Sequence, residues 1–197
     1  MKKAVFIPVY PGIKNAQLLK DCGMIPYFLH KNYGMDSYML TTRRGDYTYI
    51  DSYVKGLKIE YLENGSMKEK VDFIINNGKT IDLLILFGGY ENFYAISHTY
   101  KTVNPEGKIY LALDANSGWM DRIEFADKYY TAFMNYCDVI ATSKWITGVL
   151  KDSNLLLKGD SFIDVNAFNQ DNPDGLKLYN AARQILSNLA KEGDVIS

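Results

Sequence analysis

Apolar residues along this chain fall into two kinds of stretch that alternate. Short apolar runs at residues 3–10, 37–42, 57–62, 81–87, 108–113 and 139–142 have the length and composition of strands. The run at 81–87, Ile-Asp-Leu-Leu-Ile-Leu-Phe, is the most apolar. A strand that is apolar on both sides belongs in a parallel sheet covered on both faces. Between the runs, apolar positions recur at helical spacing. Leu18, Leu19, Cys22, Ile25, Phe28 and Leu29 predict a helix from residue 15, with Pro26 expected to kink or restart it and Gly34 to close it. Ser66 and Glu69 form the signature of a capping box for a helix through residue 77. Further helices are expected at 92–103, 119–136 and from Ser143 to about 150. Pro11-Gly12 and Asn64-Gly65 mark turns, and residues 43–52 form a polar, tyrosine-rich loop.

Strands alternating with helices at this spacing predict an α/β fold: a doubly wound, Rossmann-like, mainly parallel sheet of about six or seven strands. Residues 1–150 form that domain. Residues 151–197 are expected to be an irregular segment ending at Asn172-Pro173-Asp174-Gly175, then an amphipathic helix with Leu178, Ala181, Ala182, Ile185, Leu186 and Leu189 on one face. That helix is expected to pack back on the same domain. Ligands of doubly wound sheets bind outside the carboxyl ends of the strands. The segments to inspect are therefore 10–15, 41–44, 88–92 and 114–118.

Composition narrows the classes. With 197 residues, 47% of them apolar, the chain can bury a core without a disulfide or metal staple. Cys22 and Cys137 lack metal-ligand spacing and are expected to be reduced thiols. A net charge of -1 gives no long-range attraction to nucleic acid. No apolar run approaches the roughly 20 residues of a membrane span. The apolar run after Met1-Lys2-Lys3 is too short for a signal peptide and reads as a first strand, so the expected location is cytoplasmic. Sixteen tyrosines suit sugar or peptide surfaces, although most should serve ordinary packing.

Candidate chemistry clusters at the strand ends. The loop Pro11-Gly12-Ile13-Lys14-Asn15 joins a strand to a helix start, where amide N–H groups can hold a phosphate or carboxylate and Lys14 can add charge. It matches neither a Walker loop nor G-x-G-x-x-G, so a plain βα turn is the competing reading. Gly88-Gly89 allows close approach to the backbone, and Tyr90, Glu91 and Asn92 offer hydrogen-bonding groups; the alternative is a turn plus an Asn cap. Asp114, in Leu-Asp-Ala-Asn-Ser-Gly-Trp with Asn116 beside it, is placed to take a proton from an attacking hydroxyl, or else to cap the next helix. His30 and His98 lie in expected helices without metal-ligand partners, so no metal site and no cofactor are expected. Gly159-Asp160-Ser161 resembles a serine-esterase nucleophile block, but no histidine follows His98 to complete a triad.

The stretches Gly23-Met24-Ile25-Pro26-Tyr27-Phe28 and Tyr33-Gly34-Met35-Asp36-Ser37, the strand at 81–89, the strand at 109–114 and Cys137-Asp138-Val139-Ile140-Ala141-Thr142-Ser143 together resemble the first domain of bacterial family 4 glycosyltransferases of the GT-B fold. The resemblance spans about residues 1–150 and rests on element order and short patterns. It implies the acceptor-binding half of an enzyme that moves a sugar from a nucleotide-sugar to an acceptor hydroxyl, with a glycan or lipid-linked acceptor. The Gly12 loop would face the donor phosphate, and Asp114 would lie near the position of the family's base, whose histidine form is absent here. Such enzymes have a second Rossmann-like domain that binds the nucleotide, which this length does not accommodate. A donor-domain partner or a homo-oligomer is therefore expected, and the isolated chain is expected to be inactive. A non-catalytic binding module on the same half-fold is the competing function, and a flavodoxin-like nucleotide binder a third.

Overall fold

The computed structural model describes residues 1–8, 10–88, 93–112, 136–142 and 162–164. Within them, strands β1 (Lys3–Pro8), β2 (Asp36–Thr42), β3 (Lys58–Leu62), β4 (Leu83–Phe87), β5 (Lys108–Ala112), β6 (Val139–Thr142) and β7 (Phe162–Asp164) make one sheet. Its order is β3-β2-β1-β4-β5-β6-β7, and every pairing is parallel. Sequence pattern identified all of these strands except β7. Three residues in a polar, turn-rich stretch are too few to show a period, and β7 is visible only through its pairing of Ile140 with Phe162.

The described helices are α1 (Asn15–Leu18), α2 (Asp21–Tyr33), α3 (Ile50–Tyr53), α4 (Met67–Asn77) and α5 (Phe93–Val103). The single helix expected from residue 15 is two helices, and the break falls at Leu19 and Lys20 rather than at Pro26, which stays inside α2. The break follows from a close contact: a β-carbon on Gly23 would lie 2.1 Å from the carbonyl oxygen of Leu18, so the start of α2 folds tightly onto the end of α1. Gly34, in the left-handed region, closes α2 as expected.

Two apolar layers sandwich the sheet. On one face Ala4, Phe6, Met39, Leu83 and Ile85 pack beneath Cys22 and Leu29 of α2. On the other, Val5, Ile7, Leu40, Leu84 and Leu86 pack beneath Ile74 of α4 and Phe93, Ile96 and Tyr100 of α5. Alternate strand residues thus face opposite layers, which is why β4, and β1 after Lys3, are apolar throughout.

At the amino-terminal edge of the sheet, carboxylates tie the strand starts together. The Lys3 N–H donates to Asp82 Oδ2 at 2.7 Å, and the Ile109 N–H donates to Asp138 Oδ2 at 2.9 Å. Lys101 Nζ also reaches Asp138 Oδ2, at 2.8 Å. These groups serve stability and lie opposite the ligand edge.

The capping box forms as expected. Ser66 Oγ accepts from the Glu69 N–H at 3.3 Å, while Glu69 Oε2 accepts from the Ser66 N–H at 2.9 Å. The Ser66 amide bond, ahead of further bonds from the same turn, holds the Glu69 carboxyl below the usual range. That part of the cap is present above the ordinary glutamate pKa and lost as pH falls through the lowered one. Ser66→Ala is expected to cost about 1 kcal/mol in urea unfolding without changing the m-value.

Candidate functional site

The strand order reverses at β1, because the chain leaves it toward β2 and β3 and returns on its other side as β4. A crevice therefore opens above the carboxyl ends of β1 and β4, the place where doubly wound sheets hold ligands. Three loops meet beside it. Thr42, the last residue of β2, joins two of them: its hydroxyl donates to the Pro11 carbonyl and accepts from the Arg44 N–H at 3.2 Å. The Tyr47 hydroxyl donates to the Thr42 carbonyl. Arg44 Nη2 then donates to Asn64 Oδ1 at 3.0 Å, bringing in the loop after β3. Arg43 stacks its guanidinium over the Tyr61 ring at 4.3 Å. The result is a rim with two exposed arginines, tied together by residues far apart in sequence.

The sequence-selected residues of the first loop occupy this rim. Gly12 lies against it: a β-carbon there would sit 3.0 Å from the Gly45 nitrogen and 3.1 Å from the Arg44 carbonyl carbon. Asn15 uses its side chain within the rim, donating from Nδ2 to Thr48 Oγ1 at 2.7 Å and accepting from the Tyr49 N–H at 2.9 Å. Lys14 is exposed, and its backbone N–H donates to Gln17 Oε1 at 2.7 Å. Helix α1 is a single turn, so the loop offers few oriented amides.

Gly88 follows β4 at φ 111°, a region side-chain-bearing residues rarely enter, and its N–H donates to the Ala112 carbonyl at 2.9 Å. It stands at the end of β4, at the crevice. Gly89, Tyr90, Glu91, Asn92, Asp114 and Asn116 lie outside the described residues.

One residue at this edge was missed by sequence reading. Lys70 points inward from α4, 4% exposed, and its ammonium donates to the Pro8 carbonyl oxygen at 3.2 Å, at the end of β1. It makes no ion pair among the described residues. Burial alone lowers its pKa. The signal was present in the pattern: Met67, Lys70, Val71 and Ile74 share one face of α4, so a lysine sits in the apolar stripe. A buried cation with no described acidic partner is costly, and it sits at the carboxyl end of β1, beneath the crevice.

The histidines stay apart from the crevice. His30 Nδ1 lies 3.0 Å from the Met35 carbonyl at the end of α2. His98 is exposed on the outer side of α5, 2.8 Å from the Tyr136 hydroxyl and stacked on Tyr94. No described group of acidic, histidine or cysteine side chains has the makings of a metal site, and no described helix is long and apolar enough to cross a membrane.

No protein-family profile and no curated protein sequence matches the chain. Solved structures do. The chain is similar to a lipopolysaccharide outer core galactosyltransferase, WaaB, in its apo form, with TM-score 0.55 and 11% identity over 82% of this chain and 44% of that one. It is also similar to the UDP-GlcNAc 2-epimerase of Methanocaldococcus jannaschii, with TM-score 0.51 and 11% identity over 100% of this chain and 54% of that one. These similarities show a Rossmann-like, GT-B-type fold. The chain spans about half the length of each of the two structures.

Proposed function

We propose that this chain is the acceptor-binding half of a family 4, GT-B-type glycosyltransferase that uses a nucleotide-sugar donor. The observation that carries the reading is Lys70, a buried cation with no described acidic partner beneath the switch-point crevice. A diphosphate leaving group is dianionic or more, and a fixed positive charge nearby is worth most where water is excluded. The similarity to a galactosyltransferase and a UDP-GlcNAc epimerase supports the ligand class. Both act on sugars, and the chain shares the fold of about half of each.

In the proposed reaction an acceptor hydroxyl attacks the anomeric carbon of the donor. The carbon–oxygen bond to the diphosphate breaks, its electron pair leaves on the nucleotide, and the hydroxyl proton passes to the Asp114 carboxylate. Gly12, Lys14, Asn15 and Gly88 to Asn92 border the donor phosphates and the acceptor, with Asn116 beside the base. A second Rossmann-like half, in the same polypeptide or in a partner chain, binds the nucleotide base. The acceptor is a glycan or lipid-linked sugar made at the cytoplasmic side for the cell surface.

Thermal unfolding with a panel of nucleoside diphosphates and their sugars tests this. A ligand at 100-fold over its Kd adds about 2.7 kcal/mol, which moves the midpoint by about 5–10 °C in a domain of this size. A shift selective for one nucleotide, unchanged in Asp114→Ala, is expected, since a base acts on the acceptor rather than on the donor. No shift with any nucleotide, free or sugar-linked, would favour the competing reading of a non-catalytic binding module.

A further inference from the structure

Positive charge stands at two separate places along the ligand edge of the sheet. Lys70 Nζ lies at the end of β1, 3.2 Å from the Pro8 carbonyl oxygen. The two arginines of the rim are held at the end of β3, Arg43 over the Tyr61 ring and Arg44 on Asn64 Oδ1. β3 is two strands from β1, about 10 Å at ordinary strand spacing. A diphosphate seated at Lys70 covers only part of that distance, so the rim faces a different part of whatever the crevice holds.

The arginines are fixed without being neutralised. Each guanidinium is held by an uncharged group, a ring face or an amide oxygen, and no carboxylate of the described residues pairs with either. The acids nearest along the chain are placed otherwise. Asp46 accepts from the Thr48 N–H at 3.2 Å and from its hydroxyl at 3.0 Å, and Glu69 closes the α4 cap. Glu63 is exposed and reaches neither arginine. Holding two long cationic side chains close together costs rotamer entropy and mutual repulsion, which a bound anion offsets. A guanidinium stacked on a ring keeps the N–H donors of its edge for the two-point grip that suits a phosphate. The loop beneath them is already in place. The Asp46 N–H donates to the Ile13 carbonyl at 2.9 Å, and a β-carbon on Gly45 would lie 2.3 Å from that same oxygen. Little ordering is left for a ligand to bring about.

We propose that Arg43 and Arg44 form a subsite for a phosphate carried by the acceptor, distinct from the donor diphosphate at Lys70. The inference rests on the glycosyltransferase reading and narrows its acceptor to a phosphorylated sugar or a sugar joined to lipid through phosphate. The shared group is the phosphate. The arginines anchor it on the rim while the attacking hydroxyl lies in the crevice.

Nitrogen-15 NMR of the full chain tests the site without any turnover. The sequence has four arginines, Arg43, Arg44, Arg122 and Arg183, so their Nε–H signals are few, and Arg43→Gln and Arg44→Gln assign the pair on the rim. Mannose 6-phosphate is expected to shift those two signals, and mannose to leave them in place. Each glutamine variant is expected to weaken mannose 6-phosphate binding about tenfold. Arg43→Lys, which keeps the charge and loses the fork, is expected to weaken it less. Affinity for the best-binding nucleotide is expected to stay within about twofold in all three, as the charges are about 10 Å apart. Sedimentation with phosphatidylcholine vesicles, with and without phosphatidic acid, separates the sources. Binding only to the acidic vesicles, lost in the glutamine variants, assigns the phosphate to a lipid; binding of mannose 6-phosphate without the vesicles assigns it to a sugar. Equal shifts with mannose, no response to mannose 6-phosphate or to acidic vesicles, or a tenfold loss confined to the nucleotide would overturn the proposal. If no nucleotide binds while mannose 6-phosphate still moves the arginine signals, the subsite stands and the glycosyl-transfer reading alone falls.

Discussion

In Tyr100→Ala the unfolding free energy is expected to fall by about 4 kcal/mol, the cost typical of deleting a large buried aromatic ring. Tyr100 is fully buried on the inner face of α5, and its hydroxyl donates to the Ile81 carbonyl at 2.6 Å. Asn104 Nδ2 donates to the same oxygen at 2.8 Å and to the Gly78 carbonyl at 3.2 Å. The ring therefore fills the core and fastens the turn that leads into β4. Its neighbours cannot collapse easily into the space. A β-carbon at Gly107 would already lie 2.1 Å from the Tyr100 hydroxyl, so the backbone there is moulded to this side chain. Tyr100→Phe keeps the ring and leaves Ile81 its bond from Asn104, so its cost should be only about 1 kcal/mol. Urea unfolding of both variants separates volume from hydrogen bonding. A Tyr100→Ala loss of less than about 1 kcal/mol would show that α5 is not packed as described. The phenylalanine variant also has a pH signature. Burial first, then the charges of Asp82 and Asp138, raise the Tyr100 hydroxyl pKa. Its contribution to stability is complete below the ordinary tyrosine pKa of about 10 and is lost as pH rises beyond it, so Tyr100→Phe should flatten the alkaline fall.

How far the fold could be read in advance follows from how local each signal is. β1 and β4 announce themselves because both their faces are buried, and the Ser66–Glu69 box because its partners are three residues apart. The break between α1 and α2 was misplaced because Pro26 is a visible breaker, whereas the contact of Gly23 with Leu18 depends on how two turns pack. The site divides in the same way. Topology alone points to the crevice, and Gly88 marks its mouth. The rim bonds from Thr42 to Pro11 and from Arg44 to Asn64 join residues 31 and 20 positions apart. No periodicity encodes such pairs; they exist only once the sheet order is set. Lys70 lies between these cases, legible as a charge in an apolar stripe but meaningful only when its end is seen at Pro8.

Lys70→Met gives the sharpest separation of stability from function. A buried charge with no acidic partner among the described residues costs free energy, and an apolar chain of similar length removes that cost while filling the same space. The variant is therefore expected to be as stable as the parent or more so. Sign and pH agree: burial lowers the Lys70 pKa, so between its folded and unfolded values the unfolded chain binds more protons. The parent's stability should accordingly gain from this group as pH rises toward about 10.5, a gain that Lys70→Met lacks. Ligand binding should move the opposite way. Losing one charge-assisted contact to a diphosphate costs about 1.5–3 kcal/mol, roughly 10- to 100-fold in Kd. Lys70→Arg tests shape as well as sign, because a planar guanidinium does not fit a site shaped for an ammonium, and it should bind weakly while losing stability. Calorimetric titration of the parent and both variants with the best-binding nucleotide reads the effect directly. If Lys70→Met keeps the parental Kd, the buried ammonium serves only to hold the Pro8 carbonyl, and the counter-charge for the diphosphate must come from the arginines of the rim.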